Sequence, residues 1–143
     1  MSQALLDANV LLALAWPNHQ FHTAAHRWFA REAGGGWATC ALTQLAFVRL
    51  SSNPAFTRFP AAPTEAARLL GLCTGHAGHH FWDSAPALTP ADLARALGHQ
   101  QVNDAYLLAL TAHRCGRLIT FDPRIPALAG PSAERVLVLA PAP

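Results

Sequence analysis

Apolar positions along this chain fall into two patterns, short continuous runs and longer segments in which they recur every three or four residues. Short apolar runs favour buried strands, whereas the longer spacing favours helices. The runs predict strands at residues 4–8, 37–42, 79–83, 117–122 and 135–140. The spacing, with Pro or Gly at segment ends, predicts helices at residues 10–16, 19–33, 44–52, 61–75, 88–98 and 103–116.

Side chains at the helix boundaries sharpen this assignment. Thr43 and Thr89 are suited to cap the helices that follow them, because a hydroxyl can accept a bond from a free backbone N–H. Gly98 and Gly116 are expected to end the helices before them. Strands that alternate with helices predict an α/β fold, a three-layer α/β/α sandwich with a central, mainly parallel sheet. We expect one domain over residues 1–140 and a frayed tail at 141–143.

Composition changes this picture only slightly. Hydrophobic residues make up 52% of the chain and charged residues 13%, which excludes a disordered protein. A net charge of +2 is too small to indicate nucleic-acid binding by itself. The odd, scattered cysteines favour reduced, mostly buried thiols, and no signal peptide or membrane-spanning run is evident. The expected location is cytoplasmic, without membrane association.

The positions of the acidic residues carry the chemical information. Asp7, Asp83 and Asp122 each follow an apolar strand, and Asp104 begins an apolar helix. The carboxyl ends of parallel strands form the crevice where ligands bind. Carboxylates gathered there repel one another unless a cation lies between them. Oxygen ligands favour Mg²⁺ or Mn²⁺, and such ions support phosphodiester hydrolysis by an activated water.

Each acid also has a simpler interpretation. Asp104 could only stabilise the N-terminus of its helix, and Asp122 could belong to an ordinary Asp-Pro turn. Asp7 lies between apolar runs on both sides, which is harder to explain by a private hydrogen-bonded turn. The order and combination of the acids favour a shared site.

The segments LLDANVLLAL near the start, VNDAYLLALTAHRCGRLITFD near the end and TQLAFVRLSSNP between them resemble a PIN domain. The match is nearest to the VapC-type toxins of bacterial toxin–antitoxin modules and spans essentially the whole chain. The resemblance implies a magnesium-dependent endoribonuclease, usually a homodimer, that acts on RNA and is inhibited by a small antitoxin protein.

Carried over position by position, the resemblance makes Asp7, Asp104 and Asp122 the metal ligands and catalytic acids. Thr120 matches the hydroxyl of the TFD motif, and Asn9 matches the polar residue two positions after the first Asp.

One family feature is missing, because the acid usual on the third helix has no counterpart here. Gln44 and Ala46 occupy that neighbourhood. Gln44 could ligate through its neutral oxygen, Ala46 could leave room for water, or Asp83 could compensate. This departure puts a two-ion mechanism in doubt more than the fold.

Other candidate groups have weaker support. His22 and His26 lie four residues apart and HAGHH is dense in imidazole, but neither set has a completing ligand, so surface histidines are the favoured interpretation over zinc. Arg49, Arg58 and Arg124 could bind RNA phosphates or simply be solvated. The tryptophans lie in apolar segments and are expected in the core.

Two alternative functions remain. A degenerate PIN domain could bind RNA or antitoxin without cutting, as the missing acid suggests. An aspartyl-phosphate phosphatase would need a second Asp two residues after the first, where this chain has Asn9.

Overall fold

The strands are short, three or four residues each. The computed structural model describes residues 2–141. Its strands are β1 Ala4–Leu6, β2 Trp37–Cys40, β3 His79–Trp82, β4 Arg117–Thr120 and β5 Val136–Val138. Every predicted strand is present at its expected place.

All strand pairings are parallel, in the order β3-β2-β1-β4-β5. β1 therefore lies at the centre, between β2 and β4, and Leu6 pairs with Ile119. The next residues in this register are Asp7 and Thr120, which therefore lie side by side at the carboxyl edge of the sheet. The predicted α/β class is confirmed.

The helices cover both faces of the sheet. They are α1 Ala8–Ala15, α2 His22–Glu32, α3 Ala41–Ser51, α4 Pro63–Thr74, α5 Val102–His113 and α6 Ile125–Ala129. Alternate strand residues point to opposite faces. Ala4 and Leu6 pack with α1 to α4, whereas Leu5 packs with α5 and α6. The result is the expected three-layer sandwich.

Two local predictions were wrong. Residues 88–98 do not form a long helix; only Pro90–Leu93 forms a single 3-10 turn, closed by reciprocal bonds between Thr89 and Asp92. Thr43 is not the N-cap of α3, because the helix begins at Ala41 after Cys40, and the Thr43 hydroxyl accepts from the Cys40 N–H at 3.1 Å. The last residue of β2, Cys40, is therefore also the N-cap residue of α3.

Gly116 is required for packing rather than for helix termination. The left-handed turn after α5 lies at Cys115, which has φ 53°. A Cβ on Gly116 would lie 2.7 Å from the Trp82 ring. Glycine thus allows the start of β4 to approach the buried indole at the end of β3.

Several smaller predictions can be assessed. Of the four tryptophans expected in the core, Trp28, Trp37 and Trp82 are buried, whereas Trp16 is only half-buried. All the cysteines are free, but only Cys40 is buried. No helix within residues 2–141 is long and apolar enough to cross a membrane. The single-domain assignment to residues 1–140 stays a prediction, and residues 142–143 of the expected tail lie outside the described part.

Candidate active site

Asp7 lies where the central strand ends and the first helix begins. It is the N-cap of α1, and its Oδ1 accepts from the Ala8 N–H at 2.8 Å. Its own N–H donates to the Ile119 carbonyl oxygen at 2.9 Å, which continues the pairing of β1 with β4. The side chain is buried, with 8% of the residue exposed. Sheet and helix together fix this carboxylate at the carboxyl edge.

The Thr120 hydroxyl, at the end of β4, links the polar residues that follow the two central strands, β1 and β4. It donates to Asp7 Oδ2 at 2.8 Å and accepts from Asn9 Nδ2 at 3.1 Å and from the Asp122 N–H at 3.0 Å. One donor and two lone pairs are all that a hydroxyl has, so Thr120 is fully satisfied. Asn9 Oδ1 in turn accepts from the Phe121 N–H at 3.2 Å. Thr120 thus positions the acids, and Asn9 supports Thr120 and the Phe121 backbone while lining the same cleft as Asp7.

A cleft of about 270 Å³ brings the three predicted acids together. Asp7, Asp104 and Asp122 all line it. Asp104 reaches it from the first turn of α5, and Asp122 from the turn after β4. We call this space the acidic cleft. Its other wall comes from the side of α3 that carries Ala46.

Burial and mutual repulsion oppose ionisation of these acids. Desolvation, followed by the charges of Asp7 and Asp122, raises the pKa of Asp104 from 3.8 to about 6. Burial also raises the pKa of Asp7, against the lowering effect of its bonds to Thr120 and Ala8. The folded chain thus makes these two carboxylates harder to ionise than a free aspartate.

Arg124 partly supplies such a partner at Asp122. Its Nε and Nη2 donate to the two carboxylate oxygens at 3.0 and 2.9 Å. This guanidinium holds the pKa of Asp122 below its ordinary value. Asp7 and Asp104 make no such ion pair in the described residues.

The donor chemistry of the acidic cleft fits a hard divalent cation, because its charged side chains are carboxylates, whose oxygens such cations prefer. The present geometry is not a closed metal cage. Within residues 2–141, no group of three or more His, Cys, Asp or Glu side chains lies close enough to hold an ion as arranged. The bidentate hold of Arg124 on Asp122 is one visible reason.

Two supporting residues proposed from the sequence lie elsewhere. Asp83 follows the edge strand β3, its side chain is 82% exposed, and it pairs with Arg114 at 3.5 Å. Gln44 Nε2 donates to Thr39 Oγ1 at 3.0 Å. Neither lines the acidic cleft. Asp83 is too far along the sheet, since β2 separates its strand from β1, and Gln44 points from α3 toward β2.

Ala46 occupies the place from which a third-helix acid would face the cleft. It lines the acidic cleft together with Thr43 and Leu50. The structure thus distinguishes the two sequence candidates, because Ala46 faces the acids and Gln44 does not. The cleft wall there is apolar, and no acid of α3 contributes to it.

The predicted basic residues differ in position. Arg124 lies at the cleft, as described above. Arg49 is exposed on the last turn of α3 and does not line the cleft. Arg58 lies in the loop after α3, beside Phe56 and Phe59. Of the three, only Arg124 contacts one of the acids, through its bonds to Asp122.

Histidines do not form a second metal centre among the described residues. His22 Nδ1 and His26 Nε2 lie 2.7 and 2.8 Å from the carbonyl oxygens of Ala13 and Leu14. Both imidazoles therefore bridge α2 to the end of α1. Their spacing is accounted for by the packing of α2 on α1; His26 is exposed and His22 is half-buried.

Sequence reasoning missed Gln100 and Asn103, which line the acidic cleft beside Asp104. Their signal was proximity in the sequence to a predicted ligand, since they lie four and one residues before Asp104. The wrong expectation of a helix at 88–98 hid the role of Gln100, because the residues between this helix and the next were expected only to connect the two.

Comparison with known proteins agrees with this geometry. The PIN domain family matches residues 4–131. The chain is 44% identical over 122 residues to Ribonuclease VapC39 of Mycobacterium tuberculosis, an alignment that covers 83% of this chain and 88% of the relative. It is 42% identical over 119 residues to Ribonuclease VapC38, covering 83% and 84%, and 40% identical over 136 residues to Ribonuclease VapC44, covering 93% and 95%, both of the same organism. The chain therefore belongs to the PIN-domain family, in its VapC branch.

Proposed function

We propose that this protein is a metal-dependent endoribonuclease that hydrolyses RNA phosphodiester bonds at the acidic cleft. The observation that carries the proposal is the convergence of Asp7, Asp104 and Asp122 on one cleft at the carboxyl edge of the sheet. The names of the VapC relatives supply the reaction class.

The three acids would hold Mg²⁺ or Mn²⁺. A bound divalent ion supplies Lewis acidity and lowers the pKa of a water molecule, so that a nucleophile is available near neutral pH. Asp7 is the most firmly oriented ligand, because Thr120 and the α1 N-terminus fix both of its oxygens. Asp104 and Asp122 approach from the other side of the cleft.

Arg124 is suited to bind the substrate phosphate. Its side chain is 78% exposed, and two of its five N–H bonds point to Asp122. The remaining donors are available for phosphate oxygens, to which a guanidinium binds well. Engagement of a phosphate would also weaken its hold on Asp122 and release that carboxylate toward the cation.

Replacement of Asp7 by Asn tests the cleavage function. We expect Asp7→Asn to abolish divalent-ion-dependent cleavage of RNA while circular dichroism and thermal unfolding show an intact fold. Asp83→Asn is the matched control, since Asp83 is exposed and outside the cleft. Full activity of the Asp7 variant, or cleavage that persists in EDTA, would contradict the proposal.

A binding protein without nuclease activity is the second candidate, and the apolar wall at Ala46 favours it. Such a protein would bind RNA or a partner without needing a cation. Calorimetric titration of the wild-type protein with Mn²⁺ separates the two functions. Saturable binding that Asp7→Asn removes supports the nuclease, whereas absent heat together with RNA binding supports the alternative. The phosphatase alternative is not retained, because Asn9 is held by Thr120 and Phe121.

We also propose the role of toxin in a toxin–antitoxin module, acting in the cytoplasm and inhibited by a small antitoxin. This rests on the VapC branch of the family. Induced expression should arrest growth, Asp7→Asn should not, and co-expression of the protein from the adjacent gene should restore growth. Normal growth under wild-type expression would count against the toxin role.

A homodimer is proposed from an exposed apolar patch beside the cleft. Leu45, Phe81, Leu88 and Val102 are 65, 46, 49 and 37% exposed and line one depression. Contiguous apolar surface of this kind marks interaction sites. The expected occupant is a second copy of the chain. Light scattering should give a dimer for the wild type and for Leu72→Glu, an equally exposed leucine on α4, but a monomer for Leu45→Glu. A monomeric wild type would refute the dimer.

A further inference from the structure

A second cavity opens from the acidic cleft on the side away from α3. It has a volume of about 390 Å³ and lies between residues 97–101 and the start of α6. Asp104, Asp122 and Gln100 line both spaces. We call this second space the outer pocket. Its volume lies in the range of about 300 to 1,000 Å³ that is usual for small-ligand sites.

The lining of the outer pocket suits a nucleotide. Leu97, which is 92% exposed, supplies apolar surface, while the other apolar lining residues, Ile125 and Leu128, are buried. His99 and Arg124 also line the pocket and carry N–H donors. Its acids are the two that it shares with the acidic cleft. A base needs an apolar contact for its face and hydrogen-bonding groups at its edge, while its phosphate needs a cation. All three are present here.

Gln100 is the side chain best placed to contact a base edge. It is exposed, stands at the junction of the two spaces, and makes no side-chain hydrogen bond within the described chain. Its neighbour Gln101 is already engaged, because its Oε1 accepts from the Leu97 N–H at 2.7 Å. A carboxamide carries both donors and acceptors, so it can distinguish one base from another.

The wall that carries Gln100 is held in place by the rest of the fold. The Tyr106 hydroxyl donates to the Pro86 carbonyl oxygen at 2.6 Å, and the Gln101 N–H donates to the Gly98 carbonyl oxygen at 3.1 Å. Arg95 packs directly on Gly130, which leaves no space for a Cβ there. These contacts tie the chain just before the segment to α5 and to the end of α6, and they hold the segment itself in a turn.

We propose that the outer pocket binds the unpaired nucleotide next to the scissile phosphodiester and that Gln100 reads its base. The proposal rests on the ribonuclease function proposed above. It makes residues 97–101 a determinant of which RNA sequence is cut, separate from the acids that perform the cleavage.

Cleavage of a short RNA with randomised central positions tests this role. The 5′ and 3′ ends of the products, sequenced after limited digestion with Mg²⁺, report the base preference at each position around the cut. We expect Gln100→Ala to reduce the preference at one position adjoining the cut by about fivefold or more. Preferences at the other positions should be unchanged. Gln20→Ala is the matched control, an exposed glutamine outside both spaces.

A binding measurement keeps the test independent of cleavage. Fluorescently labelled RNA hexamers that differ at one base are titrated with wild-type protein, Gln100→Ala and Gln20→Ala in EDTA. Loss of discrimination in Gln100→Ala alone supports the proposal, even if the wild type does not cleave and the ribonuclease function fails. Unchanged discrimination in Gln100→Ala, or a wild type without base preference, overturns it. Thermal unfolding of each variant confirms that its fold is intact.

Discussion

Substitution of Asp104 should raise the stability of the metal-free protein and at the same time remove its cleavage activity. In the protein without a divalent ion, this half-buried carboxylate ionises against burial and against the charges of Asp7 and Asp122, which together raise its pKa from 3.8 to about 6. At neutral pH it is charged in both folded and unfolded chains, but charging costs more in the folded one. Asp104→Asn removes that cost and should stabilise the metal-free fold.

The magnitude follows from the pKa difference. A change from 3.8 to about 6 corresponds to about 3 kcal/mol, at about 1.4 kcal/mol for each pKa unit. Because the carboxyl group is only half-buried, solvent screening reduces this to about 1 to 1.5 kcal/mol. For a chain of this size, the midpoint of thermal unfolding should rise by about 3 to 6 °C.

The sign depends on pH in a definite way. A carboxyl group with a raised folded-state pKa binds a proton in the folded chain before it does so in the unfolded one. The disadvantage of the wild type is therefore complete above about pH 6 and disappears as the pH falls toward 3.8. The gap between Asp104→Asn and wild type should be largest at pH 7.5 and nearly absent at pH 4.

Differential scanning calorimetry in EDTA across this pH range is the assay. Asp83→Asn serves as control, since its exposed carboxylate should change stability by less than about 0.5 kcal/mol. Added Mg²⁺ should stabilise the wild type and not Asp104→Asn, which should also lose cleavage. An Asp104→Asn variant that is no more stable than wild type at pH 7.5, or whose advantage persists at pH 4, would refute the reasoning.

Two further substitutions test the support and the incomplete wall of the cleft. Thr120→Val should lower the free energy of unfolding by about 2 to 3 kcal/mol in urea and reduce cleavage, because Asp7 and the Asp122 N–H lose a buried partner. Thr120→Ser keeps the hydroxyl and should lose about 1 kcal/mol, so equal losses would contradict this account. Ala46→Glu should bind Mn²⁺ about tenfold more tightly than wild type by calorimetry, because it adds a carboxylate to the cleft. Ala46→Gln is its neutral control, and an equal gain there would show that charge is not the cause.

The sequence predicted the sheet and most helices because their signals are local. Apolar runs of strand length and helical spacing are set by the residues themselves, and the parallel sheet follows from their alternation. The segment 88–98 failed because its Thr-Pro start satisfies the local rules for a helix, whereas the chain turns away after Leu93. Tertiary contacts of that segment, such as Arg95 on Gly130, are not visible in a local pattern.

The site was predictable where it depends on strand order and not where it depends on side-chain direction. Asp7 and Asp122 follow neighbouring central strands, so parallel pairing alone brings them together. Asp83 obeys the same local rule, but its strand lies at the sheet edge, a fact that only the strand order reveals. The direction of Gln44 and Ala46 depends on the starting residue of α3, which the sequence placed three residues too late.

The bond between Thr120 and Asp7 has a consequence for biosynthesis. Its two partners are 113 residues apart in the chain, and β4 must pair with β1 before either is in place. A nascent chain that carries α1 to α5 but not β4 has neither the hydroxyl nor Asp122. Cleavage competence therefore arises only after β4 and Asp122 have been made, so chains that terminate before β4 should be harmless to the cell that makes them.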